Sequence, residues 1–421
     1  MSTCSRIAEL ASIISESTAI VDDYFEAHKL PAPSFDVSGP SRIVIPPQEK
    51  QVVDAHIRVL GATDELHRLM QGPTTMLMEI SPTDTLSLHG VYAYNMANTF
   101  PVGAETTLET ISQSCGLNVI DTRRILRHAM TNHIFCEPRP GIVAHTAASR
   151  LLAENALIRD FVGIGTEERF ISAANTVEAL KRHGYAKEPN QSGFSLGHRT
   201  TKGLYEELRD HPSRGNRWAN AMSAYASRIS LDPLINSYDW TSLGSATIVD
   251  VGGGYGPVSI GLAKKFPSLK FIVQDFGDVV AEGPKHVLAD ISHRITFMGY
   301  DMMNPQVYEG AEIYFFRAVF HNWTDHYCIK ILRNQIPALK PGSRLLINDS
   351  CLHEPGSLPW YQEKRRRSMD LQMLSYFGSR ERTVSDWEGI FKEADERFEF
   401  NGNVAEVNNG TGHLLEVVWK G

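Results

Sequence analysis

Asp250, Asp275 and His321 have types and spacings that do chemistry. Asp250 leads a glycine-dense stretch, Ile248-Val249-Asp250-Val251-Gly252-Gly253-Gly254-Tyr255-Gly256-Pro257. Glycine at Gly252 and Gly254 lets the backbone take positive φ and lets a ligand approach the peptide plane closely. Asp275 closes the next apolar run, Phe271-Ile272-Val273-Gln274-Asp275, where an acid is placed to bind ribose hydroxyls. His321 follows Ile313-Tyr314-Phe315-Phe316 by a few residues. A neutral imidazole is the side chain best matched to removing a phenol proton near neutral pH. Taken alone, His321 also reads as a structural histidine packed against Trp323.

The loop excludes two common alternatives. A phosphate loop ends in Gly-Lys-Ser/Thr, which is missing, and a dinucleotide fingerprint needs glycine where Pro257 stands. An acid at the head of the loop suits a cationic or polar ligand better than a pyrophosphate. S-adenosylmethionine, with its ammonium and sulfonium charges, fits that description. The bland alternative is a glycine-rich turn that merely connects a strand to the helix Val258-Ser259-Ile260-Gly261-Leu262-Ala263-Lys264-Lys265.

With these segments in view, the chain resembles a fungal member of the S-adenosylmethionine-dependent O-methyltransferase family, the class that includes caffeate and flavonoid methyltransferases. The resemblance is close over roughly the last 180 residues and looser before them. Asp250 to Gly256 resembles the family's first motif, with Gly252 and Gly254 in the cofactor loop. Asp275 stands at its ribose-binding acid, with Phe276 beside it. Gly299-Tyr300-Asp301-Met302 places Asp301 near the adenine amine and Met302 on the adenine face. Phe320-His321-Asn322-Trp323-Thr324-Asp325 resembles the catalytic His segment. Gly378-Ser379-Arg380-Glu381-Arg382-Thr383 resembles the Gly-x-x-Glu-Arg-Thr segment, which supplies a His-orienting glutamate at Glu381. A second carboxylate position falls in Leu345-Leu346-Ile347-Asn348-Asp349-Ser350, where plant relatives carry glutamate. Asp349 is one methylene shorter, and it also reads as a strand-end acid facing water.

The resemblance implies an α/β fold: a C-terminal Rossmann-like class I methyltransferase domain behind an N-terminal, mostly helical winged-helix dimerisation domain. It implies that His321 deprotonates a phenol or enol of an aromatic or polyketide acceptor, whose oxyanion then takes the methyl group. Alignment of the reacting atoms would supply most of the acceleration. No metal is implied. The same family holds leporin-type pericyclases, which bind S-adenosylmethionine without transferring its methyl group. For that alternative the candidate donors are His133, in Thr131-Asn132-His133-Ile134, and Arg317, next to Ala318, where relatives often carry tryptophan. The plainer readings are a helix-terminal histidine satisfied by carbonyls and a salt bridge at the sheet edge.

The elements that must position these groups are readable. Apolar periodicity gives a helix over residues 5 to 30 and a second from Gln48 to about Met70, joined by a proline-marked linker, Pro31 to Pro47. Thr107–Ile111 and Asp121–Met130 predict short helices around Cys115-Gly116. Ile134–Glu137 and Gly141–His145 predict a β-hairpin, completing a winged-helix pattern. Three stretches follow: an N-terminal domain over 1–152, a helical connector over 153–235 and a catalytic domain over 236–421. In the connector, Asp160, Phe161, Val162, Trp218, Met222, Tyr225 and Ala226 are candidate acceptor-pocket residues, although each type is more often core than wall. Lys187 to Phe194 predicts a loop near the pocket mouth, and Gly412 to Trp419 a closing edge strand.

A winged helix invites a second function class, a transcription regulator, with Arg123, Arg124 and Arg127 on phosphate. The net charge of −8 argues against nucleic acid, as does Lys364-Arg365-Arg366-Arg367 being the only cationic run. Hydrophobic content of 42% and charged content of 21% are those of a soluble globular protein, and no apolar run approaches membrane length. Cys4, Cys115, Cys136, Cys328 and Cys351 are odd in number and scattered, as free thiols in a reducing compartment are. The expected setting is the cytoplasm, the expected partners a small-molecule substrate and a second copy of the chain.

Overall fold

In the computed structural model, which describes residues 5–227, 230–407 and 412–421, Ser5 accepts from the Ala8 amide at 3.3 Å and starts the helix Arg6–Ala27. Cys4 lies outside the described residues. The next helix, Lys50–Met78, is broken at Gly72, whose φ of 72° precedes Pro73. A proline withholds a donor and disfavours helical geometry in the residue before it. The expected end near Met70 is therefore the break, and the helix resumes beyond it. The segment between the two helices has neither helix nor strand, yet it is tethered: Phe35 O accepts from the Ala147 amide (3.1 Å) and Gly39 O from Arg150 Nη2 (2.8 Å).

Both helices belong to the first of two units, Met1–Ile171 with Tyr205–Arg228 and Pro355–Arg365. Here Thr107 caps the helix Leu108–Cys115 and Asn118 caps Val119–Thr131, each side chain accepting from an amide three residues on. Strands β1 (Glu105–Thr107), β2 (Cys136–Arg139) and β3 (Ile142–Ala144) form an antiparallel sheet in the order β1-β3-β2. Ile111, Leu126, Phe135 and Val143, each at most 1% exposed, fill the space beneath. The strand expected from Ile134 begins only at Cys136, because His133 and Phe135 take left-handed φ of 58° and 65°. Thr146 holds that bend, its hydroxyl donating to His133 O (2.7 Å) and accepting from the Phe135 amide (3.2 Å). Arg123, Arg124 and Arg127 each face a carboxylate, Glu109, Asp121 and Glu137 respectively.

The second unit comprises Ser172–Leu204, Ile229–Glu354 and Arg366–Gly421. It is built on a seven-stranded sheet in the order β6-β5-β4-β7-β8-β10-β9. The strands are β4 (Thr247–Val251), β5 (Lys270–Asp275), β6 (Ile295–Gly299), β7 (Ile313–Arg317), β8 (Arg344–Asp349), β9 (Phe398–Val407) and β10 (Gly412–Trp419). Strands β4 to β8 pair in parallel, and β10 runs antiparallel to both β8 and β9. Side chains alternate between two cores: Val249, Val251, Tyr314 and Phe316 enter one, Ile248, Ile313 and Phe315 the other. Residues buried on both faces explain the near-continuous apolar runs in the sequence.

The tail strand is not the edge of this sheet. β10 is interior, and the edge is β9, which the sequence reading missed: only its ends, Phe398 and Val407, are buried. The chain enters the sheet at its middle, at β4, moves outward through β5 and β6, then crosses to β7 on the other side of β4. That reversal between β4 and β7 opens a crevice at the strand carboxyl ends, where ligands bind in open α/β sheets.

Candidate active site

The loops after β4, β5, β6, β7 and β8 all leave the carboxyl edge of the sheet, and each carries a residue singled out above. Asp250 ends up beneath its own loop. It is 2% exposed and its Oδ2 accepts from the Ser259 hydroxyl at 2.7 Å. Burial pushes its carboxyl up to about 6, against the Ser259 hydrogen bond and the positive charge of Arg317, with Asp275 pushing the same way as burial. Gly252 and Gly254 take φ of 74° and 58°. A Cβ at Gly252 would meet Val319 Cγ2 at 2.9 Å and Met302 Cε at 3.5 Å, so the loops after β4, β6 and β7 touch there. Beside Gly254 there is open space.

Asp275 is fixed at the end of β5, its two oxygens accepting from the amides of Gly254 (2.9 Å) and Phe276 (2.8 Å). Burial raises its carboxyl, and those two amides oppose the rise. Phe276 is 38% exposed. Asp301 Oδ1 accepts from the Met303 amide (3.0 Å), and Met302 packs against the core beneath β7. Behind these loops runs a buried amide chain that no sequence pattern announced. Gln274 and Gln306 exchange hydrogen bonds of 2.8 and 2.9 Å, and Gln306 donates onward to Gln335 at 3.0 Å.

His321 sits in the single turn Phe320–Asn322 that follows β7. Its Nδ1 lies 3.0 Å from Glu381 Oε1, and its side chain is 19% exposed against 1% for Glu381. Among the described residues no protein group hydrogen-bonds to Nε2. Asp349, at the end of β8, is 4% exposed rather than facing water, and its Oδ2 accepts from the Phe320 amide at 3.1 Å. Among the described residues, its other oxygen and Glu381 Oε2 are buried without a hydrogen-bond partner. Burial alone would lower the imidazole, but the charges of Glu381 and Asp349 outweigh it and raise His321 to about 9. Burial lifts Asp349 to about 6, against the attraction of His321. The structure thus gathers His321, Glu381 and Asp349 into one buried charged group, with Asp349 acting on the ring through space and through the backbone before it.

Arg317 ends β7, an interior strand and not a sheet edge; its Nε donates to Asn348 Oδ1 at 3.2 Å. His133 belongs to the first unit, just past its helix, and its ring lies face to face with Phe35, centroids 3.7 Å apart. Both line a groove of about 810 Å³ with Arg127, Cys136 and His145. Of the candidate acceptor-pocket residues, Phe161 and Tyr225 are brought into parallel alignment at 6.4 Å, and Asp160 accepts from Asn220 at 2.8 Å. The backbone between them widens over Ile164–Arg169, where buried Glu168 faces Arg214 and Arg217.

One further cluster escaped the sequence. His353, Glu406 and His413 offer ligand atoms within 4.8 Å of one another. His413 Nδ1, however, accepts from the Cys351 amide at 2.9 Å, which leaves the ring proton on Nε2, the atom a cation would need. Buried Arg366 adds positive charge nearby. The cluster does not suit a cation.

Known proteins agree with this architecture. The family model described as "O-methyltransferase domain" matches residues 183–396. The "O-methyltransferase pyvH" of Aspergillus violaceofuscus is 40% identical over 99% of both chains. The "Grayanic acid biosynthesis cluster O-methyltransferase" of Cladonia grayi is 39% identical over 99% of this chain and 88% of its own. The "Chlorophenol O-methyltransferase" of Trichoderma longibrachiatum is 34% identical over 99% and 90%. Among solved structures, OxaC has a TM-score of 0.78 at 21% identity over 99% of this chain and 100% of its own. LepI in complex with SAM has a TM-score of 0.74 at 18% identity over 98% and 100%; both likenesses speak to the fold. On the matched domain and the full-length relatives, the chain belongs to the O-methyltransferase family.

Proposed function

We propose that this chain transfers a methyl group from S-adenosyl-L-methionine to a phenolic or enolic hydroxyl of a polyketide-type secondary metabolite, with His321 as general base. One observation carries the reading. The turn bearing a carboxylate-backed histidine touches the glycine loop, since Val319, two residues before His321, closes on Gly252. The glycine loop fits the cofactor: Gly252 and Gly254 present backbone at positive φ, and Asp275 is held at the strand end where ribose hydroxyls bind. Asp250, Gly252, Gly254, Asp275, Phe276, Asp301, Met302 and Arg317 would hold it. When bound, it supplies an electrophilic methyl on a sulfonium.

The protein's own part is proton handling. Neutral His321 takes the acceptor's proton on Nε2 while Nδ1–H donates to Glu381. The imidazolium that forms is stabilised by Glu381 and by Asp349. Against burial, the two carboxylates raise His321 to about 9, closer to the range of phenols near ~10, which narrows the free-energy gap for the proton. The names of the Cladonia and Trichoderma relatives point to secondary metabolism and to phenols. The pericyclase alternative rests on His133, which stacks on Phe35, and on Arg317, whose Nε donates to Asn348.

The chain acts as a homodimer through its N-terminal unit. Supporting that, Met70, Leu77, Met78, Ile80 and Leu86 are 58–79% exposed along one stretch of it. Among the described residues no helix is long and apolar enough to cross a membrane, and Cys115, Cys136, Cys328 and Cys351 are free, in keeping with a cytoplasmic enzyme. Replacing His321 by alanine tests the reading: methyl transfer is lost while S-adenosylhomocysteine still binds.

A further inference from the structure

Glu381 is followed by a residue to which the proposed chemistry gives no task. Arg382 is 1% exposed, among the largest fully buried side chains of the chain. Burying a guanidinium is costly unless its hydrogen bonds and charge are matched, so its partners carry information. Its Nη1 donates to Phe320 O (3.1 Å) and its Nη2 to Trp323 O (2.7 Å). These carbonyls flank the turn that carries His321. Its Nε donates to Asp325 Oδ1 (2.9 Å), at the start of the helix Asp325–Gln335, and its Cζ lies 5.5 Å from the centroid of the Trp387 ring.

The same segment makes two more contacts with the turn: Ser379 Oγ donates to His321 O (2.5 Å) and Glu381 accepts from the ring. Arg382 pairs in parallel with Cys351 as an isolated β-bridge. In extended chain, consecutive side chains point to opposite sides. One backbone step therefore sends Glu381 to the imidazole and Arg382 to the backbone that carries it.

We infer that Arg382 is a positioning residue for the base: its guanidinium fixes the Phe320–Trp323 backbone so that His321 Nε2 is aimed while Glu381 fixes the ring. The inference rests on His321 being the base. A planar fork is needed, because the two carbonyls and the Asp325 carboxylate lie in separate directions; a lysine ammonium carries the charge without the fork. Arg382 also opposes protonation of His321, whose other charged neighbours are Glu381 and Asp349.

The test uses full-length Arg382→Lys, Arg382→Met and Asp325→Asn. S-adenosylhomocysteine affinity is measured by calorimetry, single-turnover methyl transfer on a panel of phenols, and His321 titration by NMR of the labelled ring. Arg382→Lys is expected to bind S-adenosylhomocysteine within about threefold of wild type and to transfer methyl about 100-fold more slowly, the size of loss a misplacement of 1 Å produces. Its His321 titration stays in place, whereas Arg382→Met moves it upward. Should Arg382→Met fail to fold, Asp325→Asn loosens the same fork from its outer end and is expected to give a smaller loss of the same kind. Wild-type turnover in Arg382→Lys overturns the inference, as do parallel losses of turnover and S-adenosylhomocysteine binding. His321→Ala retaining activity would overturn the functional reading instead, and the titration in Arg382→Met would still report on the fork.

Discussion

Glu381→Gln removes one charge and changes almost no volume. Against burial, its carboxylate, together with that of Asp349, raises His321 to about 9. An opposite charge at such range is worth about 1–3 pKa units, so the variant's imidazole should titrate at roughly 6–8. A base with a raised pKa is protonated, and idle, below that pKa. Wild-type kcat/KM should therefore rise with pH up to about 9, because that ratio reports the free enzyme. In Glu381→Gln the rising limb should move to lower pH. The plateau should fall about 100-fold, since the ring is a weaker base and its imidazolium loses a stabilising charge. The assay is release of S-adenosylhomocysteine from a phenolic acceptor between about pH 5.5 and 10. A lowered plateau with an unmoved limb would refute the reasoning: the titrating group would not be His321 paired with Glu381.

Gly252→Ala forces a Cβ to within 2.9 Å of Val319 Cγ2 at a φ of 74°. It should cost roughly 1–2 kcal/mol in denaturant unfolding and weaken S-adenosylhomocysteine binding measurably in calorimetry. His321 has a folded value of about 9 against 6.5, so it adds stability that is complete below pH 6.5 and is lost as pH rises to about 9. Wild-type thermal midpoints should fall across that window more than those of His321→Gln. Met70→Glu with Met78→Glu places charge on side chains 68% and 79% exposed; sedimentation should then show a monomer where wild type shows a dimer.

The central parallel strands were legible because burial on both faces leaves an unbroken apolar run, as in Ile313–Phe316. The β4 loop was legible because a left-handed turn selects glycine. β9 escaped because its alternating exposure and Asn401-Gly402-Asn403 interruption mimic a loop, and its pairing partner is needed to recognise it. That also misplaced β10 at the edge. The helix-terminal reading of His133 and the strand reading of Phe135 both miss the left-handed bend, which the Thr146 side chain, 13 and 11 residues on, holds. Asp349 was uncertain for the same reason: its burial depends on the turn after β7, not on its neighbours in sequence. Ser379, Arg382 and Asp325 lay inside recognised segments, but their contacts cross about sixty residues. The Gln274–Gln306–Gln335 chain joins a strand, a loop and a helix far apart in sequence, and no local periodicity can signal it.

His321 carries the proposed reaction, and the most direct measurement is methyl transfer by His321→Ala. Wild-type and variant protein would be incubated with methyl-labelled S-adenosyl-L-methionine and a panel of fungal phenols and pyridones, with products followed by mass. Wild type is expected to release S-adenosylhomocysteine and a product one methyl heavier, and the variant to bind S-adenosylhomocysteine normally while forming no product. Methylation by the variant at the wild-type rate, or a wild-type product that is isomerised or dehydrated with the cofactor unconsumed, would contradict that expectation.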